Sequence, residues 1–331
     1  MRKILALALA SFLLLGLLTG CDEEEPAPTT LPAATEVAPD KATEATEAAT
    51  EVSPDDSPLN TAALRTGDPE LKARYILLAL NAEGPFLSEK TFNETGADAL
   101  IRWLHTETAQ TVLKNFGMEE LGEAIYTLPE TEFLDPEKIA PAGEDATIHL
   151  SVADGIDDSG VLDLLIPVFE ETYGYTVEIQ SASATGAIAT AKLGLFDLVL
   201  TEATAASEAF VAEGYARVVE DFEAEAVELC TGEYLLCGPE KDPAGVASCD
   251  SLEAAFQAIS AGEYLFLSRG DDSSNHKLEQ SLWPEEQTFG SWYLSVETDM
   301  GPLLVMNEFE GGYVLADKLT WLRFCLAQGV I

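Results

Sequence analysis

Ser268-Arg269-Gly270-Asp271-Asp272-Ser273-Ser274-Asn275-His276-Lys277 is the part of the chain best equipped for chemistry. It sets one fixed cation beside a flexible glycine and a row of short hydroxyl and amide side chains, and then runs into Leu278–Trp283, which reads as helix. A helix N-terminus offers unsatisfied N–H groups and a partial positive charge. Arginine adds a planar fork of donors. These are the requirements for seating an oxyanion. The same pattern also describes a capped helix with an exposed arginine, and pattern alone leaves both readings open.

Other chemistry finds less support. His105, His149 and His276 are scattered, and no serine sits in a Gly-x-Ser-x-Gly elbow. Ser159 beside Asp158 has no base and reads as a helix cap. The pairs Asp157-Asp158 and Asp271-Asp272 lack the twelve-residue spacing of a calcium loop. Trp283, Trp292 and Tyr293 read as core rather than as a stacking platform. No catalytic residue, metal or cofactor is expected, and the chain is expected not to be an enzyme.

The elements that must position the arginine motif follow a β–α alternation. Thr147–Val152 reads as a strand, Asp157-Asp158-Ser159-Gly160 as the cap of a helix carrying Leu162, Leu165, Ile166 and Phe169, and Thr176–Ile179 as a second strand. Gly186–Leu193 reads as helix, Phe196–Leu200 as a buried strand, and Ser207–Ala212 as the start of another helix. Strands separated by helices predict a mostly parallel sheet with ligand loops at the strands' carboxyl ends.

The arginine motif, with its His-Lys and a helix ending in Leu-Trp, resembles the signature of the tungstate-binding proteins of ABC importers, in the periplasmic-binding-protein type II superfamily. Cys237-Gly238-Pro239-Glu240-Lys241-Asp242-Pro243-Ala244-Gly245 is similar to that family's Gly-Pro-x-x-Asp-Pro-Ala-Gly turn. Trp292-Tyr293, Met300-Gly301 and Tyr313–Asp317 recur in the family's order, so the resemblance covers roughly residues 146–331. It implies a two-lobed α/β fold of mixed, mostly parallel sheets that binds a small oxyanion of the tungstate or molybdate type between the lobes. It also implies a permease partner and a monomer.

Residue by residue, the resemblance carries ligand contact to Thr185 and Gly186 in the second loop, and to Ser268, Arg269, Ser273 and Asn275 around the arginine motif. Asn275 stands where the family has threonine, and its amide can still donate. The first loop departs. Where the family reads Thr-Thr-Thr-Ser-Thr, this chain has Val152-Ala153-Asp154-Gly155-Ile156, which puts Asp154 where a hydroxyl donor is expected. A carboxylate a few Å from a dianion is repulsive, so the ligand differs, or Asp154 pairs with Arg269, or a one-residue shift brings Ser151 into play. A re-specialised binding module, sensory or adhesive and without tungstate binding, is therefore the alternative function.

Residues before 146 resemble the carboxyl-terminal part of the same family. They contain a Gly67-Asp68-Pro69 turn, an apolar run Tyr75–Asn81, and a helix pair with Ala99–Leu104 and Thr111–Leu113. The implied organisation is a circular permutation. Residues 63–145 complete the first lobe and hinge and add a connector, 146–229 form lobe 1, and 230–331 form mainly lobe 2. A separate helical domain and a truncated tandem duplication are the competing explanations.

Residues 1–20 read as a lipoprotein signal peptide, with Arg2-Lys3, an apolar run Ile4–Leu18, and the tetrad Leu18-Thr19-Gly20-Cys21. Cys21 is then the lipidated anchor, which places the chain at the extracytoplasmic face of the bacterial membrane. Residues 21–62 read as a disordered acidic linker with recurrent Ala-Thr-Glu and little to bury. A formal charge of −42 argues against nucleic acid and anionic lipid surfaces. Export permits disulfides among Cys230, Cys237, Cys249 and Cys325, with buried free thiols as the other possibility.

Overall fold

The computed structural model describes residues 59–331, so the signal-peptide, anchor and most of the linker readings lie outside the described residues. The first described elements are strands β1 (Thr61–Arg65) and β2 (Lys72–Ala79) and helices α1 (Glu94–Leu104), α2 (Glu107–Asn115) and α3 (Met118–Leu121). The β–α alternation follows: β3 (Thr147–Ala153), α4 (Asp154–Asp157), α5 (Val161–Tyr173), β4 (Thr176–Ala182), α6 (Ala184–Ala191), β5 (Leu198–Glu202) and α7 (Ala205–Ala212). The remainder is β6 (Val227–Pro239), α8 (Leu252–Ala261), β7 (Phe266–Ser268), α9 (Ser274–Leu282), β8 (Tyr293–Ser295), α10 (Met300–Glu310), β9 (Val314–Asp317) and α11 (Lys318–Ala327).

The main sheet runs β1-β6-β2-β5-β3-β4, with β9 also paired to β6. Parallel order holds where the β–α units predict it, at β3–β4 and β3–β5. It gives way at β2, which runs antiparallel to both β5 and β6. The sheet is therefore mixed rather than mostly parallel. β2 enters from residues outside the alternating units, so its direction is not set by a βαβ crossover.

β6 is the long element that joins the two halves. Its first part, Val227–Glu233, pairs with β2, whereas Tyr234–Cys237 pairs with β9 and Leu236–Pro239 with β1. A second, two-stranded parallel sheet, β7–β8, lies beyond it. The change of partners along β6 is what places loops from both halves around one cavity.

The segment before β3 is integral to the core. Leu77, Leu78 and Ala79 of β2 are fully buried, as expected for an apolar strand covered on both faces. On α1, Ala97, Leu100, Ile101 and Leu104 share the buried face at helical spacing, and Trp103 packs on Phe169 of α5 at 5.6 Å between ring centroids. Asn93 caps α1 by accepting from Gly96 N–H at 2.8 Å. Asp197, just before β5, accepts from the Asn93 N–H and the His149 N–H, each at 2.7 Å, and so ties α1 to β3 and β5.

Local starts agree with the pattern at one helix and differ at another. α5 begins at Val161 after Gly160 in the left-handed region (φ 82°), and Ser159, read as a helix cap, accepts the Val161 N–H at 3.1 Å. Asp157 instead ends the short turn α4. α6 starts at Ala184, two residues earlier than expected, because Ser183 caps it by accepting from Gly186 N–H. Cys230, Cys237, Cys249 and Cys325 are free thiols, and burial pushes the Cys237 and Cys230 thiols well up and Cys325 to about 11. Among the described residues no helix is long and apolar enough to cross a membrane.

Candidate functional site

A cavity of about 370 Å³ opens where β6 passes between the two sheet halves. Tyr75, Asp154, Asp158 and Ser159 line it from one half, Arg269, Ser273, Asn275, Met300 and Gly301 from the other, and Gly232, Glu233 and Tyr234 of β6 lie between. Four of the expected ligand residues (Asp154, Arg269, Ser273 and Asn275) therefore come together.

Their donors are largely engaged. Arg269 donates from Nε to Asp271 Oδ2 at 2.8 Å and forms a longer pair with Asp299 at 3.7 Å. Ser273 caps α9 by accepting from His276 N–H, while its own hydroxyl donates to Asp271 Oδ1 at 2.6 Å. The Asn275 amide donates to the Leu315 carbonyl at 3.1 Å, so it fastens α9 to β9. Asp271 collects the Arg269 and Ser273 donors. Burial pushes its carboxyl up, but Ser273 and Arg269 outweigh burial and hold it below the usual range.

The N–H of Ser274, the first residue of α9, is also taken. It donates to both carboxylate oxygens of Asp154, each at 3.2 Å. Ser274 Oγ accepts from the Ala184 N–H at 3.0 Å, so this serine clamps α9 against the first residue of α6. Asp154 does not ion-pair directly with Arg269; the arginine's recorded partners are Asp271 and Asp299. Burial raises the Asp154 carboxyl above its usual range, opposed by the Ser274 and Gly155 hydrogen bonds and by the charge of Arg269. Asp158 is raised as well, first by burial and then by the charge of Asp154.

The other expected residues lie elsewhere. Thr185 lines a second cavity of about 400 Å³, together with Glu202, Thr204, Ser274, Lys277 and Ser281. Gly186 lines neither cavity, and its N–H is spent on the Ser183 cap. Ser268 is buried on β7 with an unpartnered hydroxyl, and it also lines neither cavity.

Glu202 was missed in the sequence. It ends the fully buried strand β5, and Tyr234 donates a hydrogen bond to its Oε1 at 3.1 Å. Burial pushes its carboxyl up to about 7, against the Tyr234 hydrogen bond and with the charge of Asp154. Tyr75 and Tyr234 are raised well above the phenol range by burial and by this carboxyl. An ideal Cβ on Gly155 would lie 2.8 Å from the Tyr75 hydroxyl and 3.0 Å from Glu202 Oε1, so only glycine fits between them without movement. A carboxylate closing an otherwise apolar strand was the signal available in the sequence.

The family model for the PBP superfamily domain matches residues 140–330. The chain belongs to the PBP (periplasmic-binding-protein) superfamily. It is 33% identical over 185 residues to a Haloferax volcanii protein named "Putative ABC transporter anion-binding protein", covering 55% of this chain and 52% of that one. It is 31% identical over 195 residues to the tungstate-binding protein TupA of Peptoclostridium acidaminophilum, covering 56% of this chain and 66% of the relative. The match thus spans about half of the first relative's length and about two-thirds of the second's. Among solved structures, the tungstate-binding protein TupA of Desulfovibrio alaskensis G20 aligns with 26% identity and a TM-score of 0.44, over 58% of this chain and 73% of that one. The two curated relatives are, by name, binding proteins, in keeping with the resemblance drawn from the arginine motif.

Proposed function

We propose that the chain is the extracytoplasmic solute-binding component of an ABC importer, anchored through a lipid on Cys21 and delivering its solute to a permease. The observation that carries this reading is the convergence of both sheet halves on one polar cavity. The loop after β3 and the start of α9 face each other across it, joined by β6. Ligands of open α/β sheets bind in crevices at the strands' carboxyl ends, which is where Asp154 stands. The names of its relatives support an anion such as tungstate as the solute, which would have to win Arg269 and the α9 N-terminus from the chain's own carboxylates. A second reading, a different small solute, is favoured by Asp154, because its carboxylate already holds the Ser274 N–H.

The test is a thermal-shift and calorimetric screen of the purified protein against tungstate, molybdate, sulfate, phosphate and cationic or zwitterionic solutes. A ligand at a hundredfold over its Kd stabilises by about 2.7 kcal/mol, well within detection. No stabilisation by any solute of either charge sinks the receptor reading.

We further infer that the chain is circularly permuted, with residues 63–145 supplying part of the first lobe. Two observations support this. The family match begins at residue 140, and β2, from outside the match, sits between β5 and β6 in the middle of the sheet. Permutation is tolerated where the ends of a compact domain lie near one another.

A further inference from the structure

The cavity is more acidic than an anion receptor needs. Asp154, Asp158, Glu233, Asp299 and Asp317 line it against Arg269, Lys318 and Arg323. The three cations are each held by a carboxylate: Arg269 by Asp271, Lys318 by Glu123 at 2.5 Å, and Arg323 by Glu120 at 3.3 Å. An incoming dianion therefore finds no free positive charge on the wall. It also finds the α9 N-terminus occupied, since both oxygens of Asp154 receive the Ser274 N–H at 3.2 Å. A carboxylate on a helix N-terminus satisfies the orphan donor and the dipole in the same way a bound oxyanion would.

The occupant is pinned. Asp154 directly follows β3, and the next residue, Gly155, is wedged against the Tyr75 hydroxyl and Glu202 Oε1. On the other side Ser274 is fixed by the Ala184 N–H on its hydroxyl. Gly155 leaves the backbone beside Asp154 little room against Tyr75 and Glu202, and moving the carboxylate away would strip the Ser274 N–H of its partner.

We propose that Asp154 is the specificity-determining residue of this cleft: it acts as a built-in anion that fills the α9 seat and turns away bare dianions. The cleft then selects a solute that offers Asp154 and its acidic neighbours a hydrogen-bond donor or a positive charge. The proposal rests on the receptor reading above and takes it in its second form, a small solute other than a bare dianion.

The experiment is calorimetric titration of sodium tungstate at pH 7.5 into the full chain, as wild type, Asp154→Ala and Asp154→Asn. Alanine empties the seat and exposes the Ser274 N–H; asparagine keeps the shape and an acceptor oxygen but removes the charge. The expected result is tungstate affinity at least a hundredfold higher in Asp154→Ala than in wild type, with Asp154→Asn in between. Circular-dichroism melts verify folding, and if the alanine variant does not fold, a tenfold gain in Asp154→Asn decides in favour. Wild type binding tungstate as tightly as the variants overturns the proposal. So does the absence of tungstate binding in all three, since an emptied seat would then not be an anion seat. Either failure leaves the receptor reading standing if another solute stabilises the wild type, and that reading fails on its own only when none does.

Discussion

Replacing Glu202 with glutamine removes one proton-binding group from the buried cluster and nearly nothing else. The side chain is 8% exposed, and the glutamine oxygen can still accept from the Tyr234 hydroxyl. Burial lifts the carboxyl from its ordinary 4.5 to about 7. The folded protein therefore keeps a proton that the unfolded chain releases between these two values. Where the folded state binds more protons, stability falls as pH rises. The stability tied to the protonated acid is fully present below pH 4.5 and is lost as pH rises through about 7. About 2.5 pH units separate the two values, and at about 1.4 kcal/mol for each the loss is ~3 kcal/mol. Glu202→Gln lacks this loss. Urea unfolding followed by tryptophan fluorescence, from pH 4.5 to 8.5, should give two curves that diverge in the variant's favour by ~3 kcal/mol and run parallel above about pH 7.5. The background titration of the other carboxylates cancels in the difference between the two proteins. Parallel curves over the whole range would refute the reasoning, because Glu202 would then be ionised in the folded protein at the same pH as in the unfolded one.

Gly155→Ala places a methyl group 2.8 Å from the Tyr75 hydroxyl and 3.0 Å from Glu202 Oε1, so it should cost about 1–3 kcal/mol in urea unfolding; an unchanged midpoint would mean the wedge is loose. A fragment of residues 146–331 lacks β2 and the helices carrying Leu100, Trp103, Leu104 and Leu113, so it should be insoluble or lose cooperative unfolding; a soluble, cooperative fragment counts against permutation. Cys21→Ser should release the protein from the membrane fraction or block its processing, and unchanged fractionation argues against the lipid anchor.

The parts of the site that could be read in the sequence are those built from neighbours along the chain. The capped start of α9 lies within one short run, so local residue type sufficed, whereas the Arg269–Asp271 pair, only two residues apart, was not foreseen. The β–α units from β3 to α7 were legible for the same reason: apolar periodicity and capping residues are local signals. The other misjudged parts depend on long-range contacts. Asn275 looked like a free donor until folding brought the Leu315 carbonyl to it from 40 residues away. Thr185 lies in the first turn of α6 rather than in a loop, and it lines a separate cavity, while Ser274 holds the neighbouring Ala184 N–H. The antiparallel direction of β2 follows from which strands flank it, and its own apolar run is silent on that point.

Asp154 shows the limit most clearly. The sequence reading weighed two fates for it, repulsion of the ligand or a pair with Arg269, because the arginine was the one nearby charge in view. Folding supplies a third partner, a backbone N–H 120 residues along the chain, which no pattern of side chains encodes. Arg269 is meanwhile satisfied by Asp271, two residues away, so the charge expected to anchor a ligand is neutralised before any ligand arrives. Both changes act in the same direction. Each puts one of the chain's own carboxylates on a donor that an oxyanion would otherwise use, and each keeps a charge or dipole at the cleft compensated in the absence of solute. A cleft arranged this way keeps the Ser274 N–H and Arg269 partnered by the chain's own carboxylates. On the receptor reading a solute must therefore compete with an internal carboxylate, and that competition, more than the overall −42 charge, governs which chemistry the cleft admits.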